Sequence, residues 1–166
     1  MNYAATILPE FDREITNTRK VLERVPENKL DWQAHPKSNT NGWNANHLAE
    51  ILGWVEEWLT APSWDFAPIG GEPYQSPKLT SCQEILDLFD RNVSAARKAI
   101  TAVKDDQMTQ QWSLLKAGTT IFTMPRAALI RRFVLNHLIH HRAILCVYLH
   151  LNDISVPGMY DPSGDE

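Results

Sequence analysis

Cysteine is scarce in this chain. There are two, Cys82 and Cys146, far apart, in no CxxC pair and each inside an amphipathic stretch. That excludes a disulfide framework and a cysteine-built zinc module. The expectation is two buried thiols in a reducing compartment. Long apolar runs are also missing. Nothing approaches the roughly 18 residues of a membrane span, so no membrane partner is expected. The stretch Met1-Asn2-Tyr3-Ala4-Ala5-Thr6-Ile7-Leu8-Pro9-Glu10 carries no basic region ahead of an apolar one, which argues against a secretory signal and for a cytoplasmic protein. Positive charge is in deficit: 16 Lys and Arg stand against 20 Asp and Glu, a net charge of -4. The pair Arg131-Arg132 is too short to make a basic face, so nucleic acid is not expected as a partner. No internal repeat or low-complexity segment interrupts the chain.

What remains reads as one domain over residues 1–166, with 43% hydrophobic and 22% charged residues. Such a chain can bury a core without staples. Four segments carry helical periodicity. The first spans about Leu8–Val25, with apolar positions Leu8, Phe11, Ile15, Val21, Leu22 and Val25, and Pro26 ends it. The second spans about Trp43–Leu59, with Asn41 as a plausible cap. At 100° per residue, His47, Ile51, Trp54 and Trp58 fall within about 60° of one another, so His47 stands on an apolar stripe. The third spans about Ser81–Val103 with a capping box from Ser81 to Glu84. The fourth spans about Pro125–Leu151, Pro125 suiting its first turn. Between the second and third lies a long Pro- and Gly-rich connection, residues 61–80, with Trp64, Phe66 and Tyr74 to pack over the domain. Residues 105–124 read as a small hairpin or an extended loop. The simplest architecture is all-α, a four-helix bundle with a long crossover loop, a fold that builds metal sites from side chains on facing helices.

The chemistry concentrates in Asn136-His137-Leu138-Ile139-His140-His141-Arg142. His137 and His141 are one helical turn apart, which puts their Cβ atoms roughly 5–6 Å from each other. Both stand where core residues recur. One buried histidine is ordinarily a satisfied core residue, but two neighbouring imidazoles must share a proton or a ligand, because charging both would bury like charges. A metal ion resolves this. His47 would complete a tripod with open coordination positions, the mark of a catalytic site over a structural one. His140, about 60° off the stripe, faces the bundle edge, and His35 and His150 read as surface residues. Glu50, one turn after His47, could orient an imidazole or accept a proton, or could be an exposed carboxylate. Arg142 could hold a substrate carboxylate or pair across the bundle. Tyr148 reads as core. Trp54, Trp58 and the aromatic connection could wall an apolar pocket, or belong to the core or a dimer interface.

Three pieces give the chain a resemblance to the DinB-like (DinB/YfiT-type) superfamily of metal-dependent proteins. They are His47-Leu48-Ala49-Glu50, His137-Leu138-Ile139-His140-His141-Arg142, and the ending Val156-Pro157-Gly158-Met159-Tyr160-Asp161-Pro162-Ser163-Gly164-Asp165-Glu166. The last looks like the family's Pro-Tyr-Gly-Pro-Ser-x-Asp-Glu tail, with Asp161 where glycine is expected, in a surface turn. Glu10-Phe11-Asp12-Arg13-Glu14 and Pro36-Lys37-Ser38 also look like family members. The resemblance covers essentially the whole chain. It implies a four-helix bundle, often a homodimer, with one divalent transition metal held by His47, His137 and His141. Zinc or nickel comes first for such a site, with iron or manganese as alternatives. It further implies hydrolysis or S-transfer with a low-molecular-weight thiol such as bacillithiol or mycothiol. In either case a small-molecule substrate meets a nucleophile that the metal keeps deprotonated. The competing expectation is a non-enzymatic stress-response or binding protein whose metal is structural, with His140 or Glu50 as a fourth ligand. A third is a plain interaction module with a histidine-lined core.

Overall fold

A computed structural model describes residues 2–165; Met1 at the start of the N-terminal stretch and Glu166 at the end of the tail motif lie outside them. Helix α1 spans Tyr3–Leu22. It begins five residues earlier than the apolar spacing suggests, because the Asn2 side chain accepts a hydrogen bond from the Ala5 N–H at 3.1 Å and so caps the first turn. Pro9 lies inside the helix, in its second turn, where its missing N–H leaves the Ala5 carbonyl without the usual i→i−4 bond. Ile7, Phe11, Ile15, Thr18 and Leu22 recur every three to four residues and are buried.

Helix α2 spans Asn41–Ile51. Its cap is Thr40, whose hydroxyl accepts from the Trp43 N–H at 3.1 Å. Asn41, expected in that role, is already helical and spends its side-chain amide on the Lys29 carbonyl. A tighter turn at Leu52–Trp54 leads into α3, Val55–Thr60. Helix α4 spans Cys82–Ala102 and starts with the expected capping box of Ser81 and Glu84. A single turn, α5, covers Asp105–Met108. The last helical stretch runs as α6, Arg126–Ile130, a wider π-type turn over Arg131–Leu135, and α7, Asn136–His150. Pro125 stays extended just ahead of it. α1 and α2 each pack against both α4 and α7, and their apolar faces make one core that includes Phe11, Leu48, Phe89 and Leu138.

The all-α expectation is corrected by a three-stranded sheet. Strand β1 (Ser63–Asp65) lies in the long connection and pairs parallel with β2 (Gln111–Lys116). β2 pairs antiparallel with β3 (Thr119–Pro125), with a register shift between Leu114 and Leu115. The molecule is thus helix-dominated but not a bare bundle of helices. Of the two expectations for residues 105–124 the hairpin is the one present. Its two-residue turn has φ of 50° at Ala117 and 74° at Gly118, the primed geometry that matches strand twist and that glycine adopts without strain. The Asp65 carboxylate holds this turn to β1 by accepting from the N–H groups of Ala117 and Gly118. Arg126, buried, stitches the sheet end to the helices by donating to the carbonyls of Trp58 and Ala61 and to the Gln110 side chain.

Cys82 and Cys146 are half-buried free thiols rather than fully buried ones, and burial pushes both above the ordinary thiol range. The tail returns along α1. Asn17 donates to the Met159 carbonyl, and Asp165 accepts from the Val156 N–H and faces His150. Among the described residues no helix is long and apolar enough to cross a membrane.

Candidate metal centre

α2 and α7 are packed partners, and each turns a polar group inward at the same level. α7 supplies His137 and His141, adjacent because they are one turn apart. α2 supplies His47. The Nε2 of His137 lies 3.4 Å from the Nε2 of His47 and 3.0 Å from the Nε2 of His141. All three donor nitrogens stand within 4.8 Å of one another. Nitrogens bound tetrahedrally at about 2.0–2.1 Å would be roughly 3.3 Å apart, so the spacing fits one shared ion.

The surroundings determine which face of each ring is available. His47 Nδ1 is 2.9 Å from Glu50 Oε2, and a carboxylate can only accept, so Nδ1 carries the proton. His141 Nδ1 is 3.1 Å from Asn44 Oδ1. The Asn44 amide cannot be flipped without cost, because its NH2 already donates to the Thr40 carbonyl at 2.9 Å. Nδ1 of His141 therefore also carries the proton. Both rings then direct an Nε2 lone pair at His137. A neutral His137 can donate one proton toward one of them, never two. Its own Nδ1 is buried, and the Phe133 backbone carbonyl one turn earlier on the helix favours a proton on the ring. Three lone-pair-bearing nitrogens facing one point, with at most one proton between them, is the donor set of a cation site.

Burial favours the neutral rings that such a site needs. It pushes His141 down to about 3, helped by the neighbouring His47, His137 and His140. It lowers His137 as well, with His47 adding to the effect. Glu50 is 4% exposed, so the exposed-carboxylate expectation is corrected. Burial raises its pKa, but hydrogen bonds from His47, Ser76 and Tyr74 outweigh this and hold it below the ordinary carboxylate range. Tyr74 donates to Glu50 Oε1 at 2.8 Å and accepts from the Trp54 indole at 3.2 Å, and burial raises its phenol to about 12. Trp43 stacks on the His47 ring, 4.6 Å between centroids, and covers the outer side of the centre.

Of the other residues singled out from sequence, Arg142 points away from the histidines. Its guanidinium donates to Glu14 Oε2 at 2.7 Å, to the Glu14 carbonyl and to Thr18, so it pairs across to α1. Tyr160 of the tail bonds both partners. His140 is exposed, with its ring edge-on to His141 at 4.9 Å. His35 and His150 are exposed and do not belong to the cluster. Tyr148 is buried.

Residues 10–145 match the sequence profile of the DinB superfamily. The chain belongs to the DinB superfamily. It is 24% identical over 163 residues to the protein YrdA of Bacillus subtilis (strain 168), covering 96% of this chain and 89% of that protein. The fold is similar to that of a DinB-like protein from Bacillus cereus, with a TM-score of 0.73 at 23% identity, covering 96% of this chain and all of that one. It is also similar to the DinB-like protein YjoA of Bacillus subtilis, with a TM-score of 0.70 at 13% identity over 95% and 98% of the two chains.

In this DinB-superfamily chain, sequence reasoning missed Asn44, Ser76 and the bond of Tyr74 to Glu50, though it placed Tyr74 in the aromatic connection that could wall a pocket. Asn44 had a signal: it is a polar residue three positions before His47, on the same inward face of α2. Tyr74 and Ser76 lie in a connection without periodicity, and nothing local ties them to Glu50.

Proposed function

We propose that this protein is a metal-dependent enzyme, a hydrolase or a low-molecular-weight-thiol S-transferase, built around His47, His137 and His141. The observation that carries the reading is the convergence of three Nε2 atoms from two helices, with two of the rings locked by Glu50 and Asn44 so that their lone pairs face inward. A divalent ion held there, zinc or nickel before iron or manganese, would lower the pKa of a water or thiol toward neutrality.

The protein's own contributions follow from the geometry. His47 and His137 also line an apolar cavity of about 310 Å³, so a substrate in it lies beside the donor nitrogens. Trp54, Trp58 and Trp64 give that cavity an apolar wall. Glu50 holds the His47 tautomer and is itself held by Tyr74. It acts as a positioning residue, since its carboxylate faces Nδ1, the side of the ring opposite the cluster. Cys82 lies at the start of α4 and donates to the Val25 carbonyl, so the nucleophile comes from solvent or a cosubstrate.

The alternative, a binding protein with a closed structural metal, needs a fourth protein ligand. Glu50 is committed to Nδ1 of His47, and the cluster of described residues has three members, which favours the open site. The test is metal content by mass spectrometry on untagged protein beside a His137→Ala/His141→Ala variant, followed by ester hydrolysis and thiol-transfer assays on both. About one equivalent of transition metal in the wild type, lost with turnover in the variant, is expected. Turnover retained in a metal-free variant would refute the reading. Metal without turnover, and a large fall in thermal stability on chelation, would support the structural alternative.

A further inference from the structure

A second cavity, of about 220 Å³, shares part of the aromatic wall beside the histidines. Trp54, Trp64 and Tyr74 border both, but here they are joined by Glu50 and Glu57. No Lys, Arg or His lines this second cavity among the described residues. Its three rings make the sides of a box. Tyr74 is inclined 84° to Trp64 and 75° to Trp54, with centroids 5.0 and 6.5 Å apart. A group in the corner between rings at near right angles meets ring faces and not only edges. Those faces are the negative side of the ring quadrupole, and they attract a cation within about 6 Å of the centroid, Trp most strongly. The rings are open to contact: Tyr74 is 41% exposed, and Trp54 and Trp64 are half-buried.

The charges point the same way. Glu57, on α3, is exposed and forms no ion pair among the described residues. Glu50 adds a second carboxylate. Its oxygens already accept from His47 and Tyr74, so it contributes its field more than an open bond. The rings come from three separate places: Trp54 from the turn after α2, Trp64 from β1 and Tyr74 from the long connection. Rings alone would suit an apolar group, and carboxylates alone would favour a strongly hydrated ion that stays in water. Rings and carboxylates together suit a cation whose charge is wrapped in methyl or methylene groups, because it loses little hydration on entering and its carbon surface packs on the rings. The cavity is smaller than the roughly 300–1,000 Å³ typical of drug-sized sites, so the occupant is small.

We infer that this cavity is a binding site for a small alkylated ammonium group, caged by Trp54, Trp64 and Tyr74 and balanced by Glu57 and Glu50. The inference does not rest on the reading of the metal centre, since it needs no ion at the histidines, and it is compatible with one. A divalent ion would sit at Nε2 of His47, whereas Glu50 holds Nδ1 on the opposite edge of the ring, and the two carboxylates offset the ion's two charges. Zinc brings a like charge near the cavity, so it lowers the cation's affinity, and the cation lowers zinc's by the same factor. The preference for the cation over a neutral group of the same shape remains, because the ring faces act on charge at contact distance.

The test titrates the full-length protein, metal-free and zinc-loaded, with two probes of one shape: choline, and 3,3-dimethyl-1-butanol, in which carbon replaces the charged nitrogen. Affinities are read by isothermal titration calorimetry. With metal-free protein choline is expected to bind at least about fivefold tighter than the alcohol, and the same order should hold with zinc bound. Trp64→Leu should erase the preference. Glu57→Gln should lower choline affinity about threefold at low salt, less as salt is raised, and leave the alcohol unchanged. Equal binding of the two probes, no binding of choline, or choline affinity unchanged in both variants would each overturn the inference, the last by placing the bound cation elsewhere. Glu57 is exposed on α3, so Glu57→Gln locates the site even if Trp64→Leu fails to fold. Zinc uptake is measured on the same samples. Choline preference without zinc uptake refutes the metal reading alone, and zinc uptake without choline preference refutes this inference alone.

Discussion

Replacing Glu50 by Gln tests whether the metal centre is held in shape by its hydrogen bonds. The substitution keeps the side chain's size and removes its charge. In the native protein Glu50 accepts from His47 Nδ1 at 2.9 Å and from the Tyr74 hydroxyl at 2.8 Å while 4% exposed. A glutamine can keep one of these with its carbonyl. Its NH2 must face the other, and facing His47 would oppose the Nδ1 proton and favour the tautomer that turns Nε2 into a donor. The amide therefore turns toward Tyr74, whose O–H loses its acceptor. The His47 bond falls from a charge-assisted one, about 1.5–3 kcal/mol, to a neutral one, about 0.5–1.5 kcal/mol. The difference between the mid-points, about 1.25 kcal/mol, is close to the roughly 1.4 kcal/mol of a tenfold change in affinity, at the low end of the roughly 10–100-fold range seen when a partner of a ligating histidine is removed. Zinc affinity measured at neutral pH by competition with a chromophoric chelator should fall about tenfold in Glu50→Gln, and far more in His47→Ala. An affinity within about twofold of wild type would show that the Glu50 bond does not orient the ring. A loss as large as that of His47→Ala would mean that Glu50 is itself a ligand.

Three further outcomes follow from the same coordinates. Asn44→Leu removes the acceptor that fixes His141 and should lower zinc affinity by roughly 10–100-fold with little change in far-ultraviolet circular dichroism; unchanged affinity would refute the role given to that bond. Burial raises the Glu14 carboxyl, but its bonds from Tyr160, Arg142 and Arg13 win and hold it below the usual range. Its stabilisation is therefore present above the unfolded carboxylate pKa and is lost as pH falls through the lower folded value. Glu14→Gln should cost on the order of 3 kcal/mol at neutral pH, because it leaves Arg142 buried and unpaired, and urea denaturation should show a shallower decline of stability below about pH 5 than in wild type. An identical acid limb would refute this. Ser81→Ala breaks the capping box of α4 and should cost about 1 kcal/mol, read as a lower urea midpoint with an unchanged slope; a changed slope would point to a different native or denatured state.

Local regularities were legible in the sequence by itself. Helical spacing repeats within a few residues, so the four helical stretches, the Ser81–Glu84 cap and the shared face of His137 and His141 could be read without coordinates. The inward position of His47 could be read for the same reason. Boundaries depended on single side chains competing for backbone donors, which is why Asn2 and Thr40, and not an apolar periodicity, begin α1 and α2. Tertiary structure alone decided the rest, because it joins groups that no local pattern connects. Glu50 is buried yet held below the ordinary carboxylate range by His47 one turn away and by Ser76 and Tyr74, which reach it from an aperiodic connection. Arg142 is committed to Glu14, 128 positions away. β1 is three residues long and exists only by pairing with β2, about 50 positions later, a partnership whose loop closure must be compensated by packing that a linear reading does not contain. That sheet carries Trp112 to Trp58 and encloses the aromatic cavity beside the histidines. The metal donors were written in helical spacing, while the wall that would select a substrate was written in long-range packing.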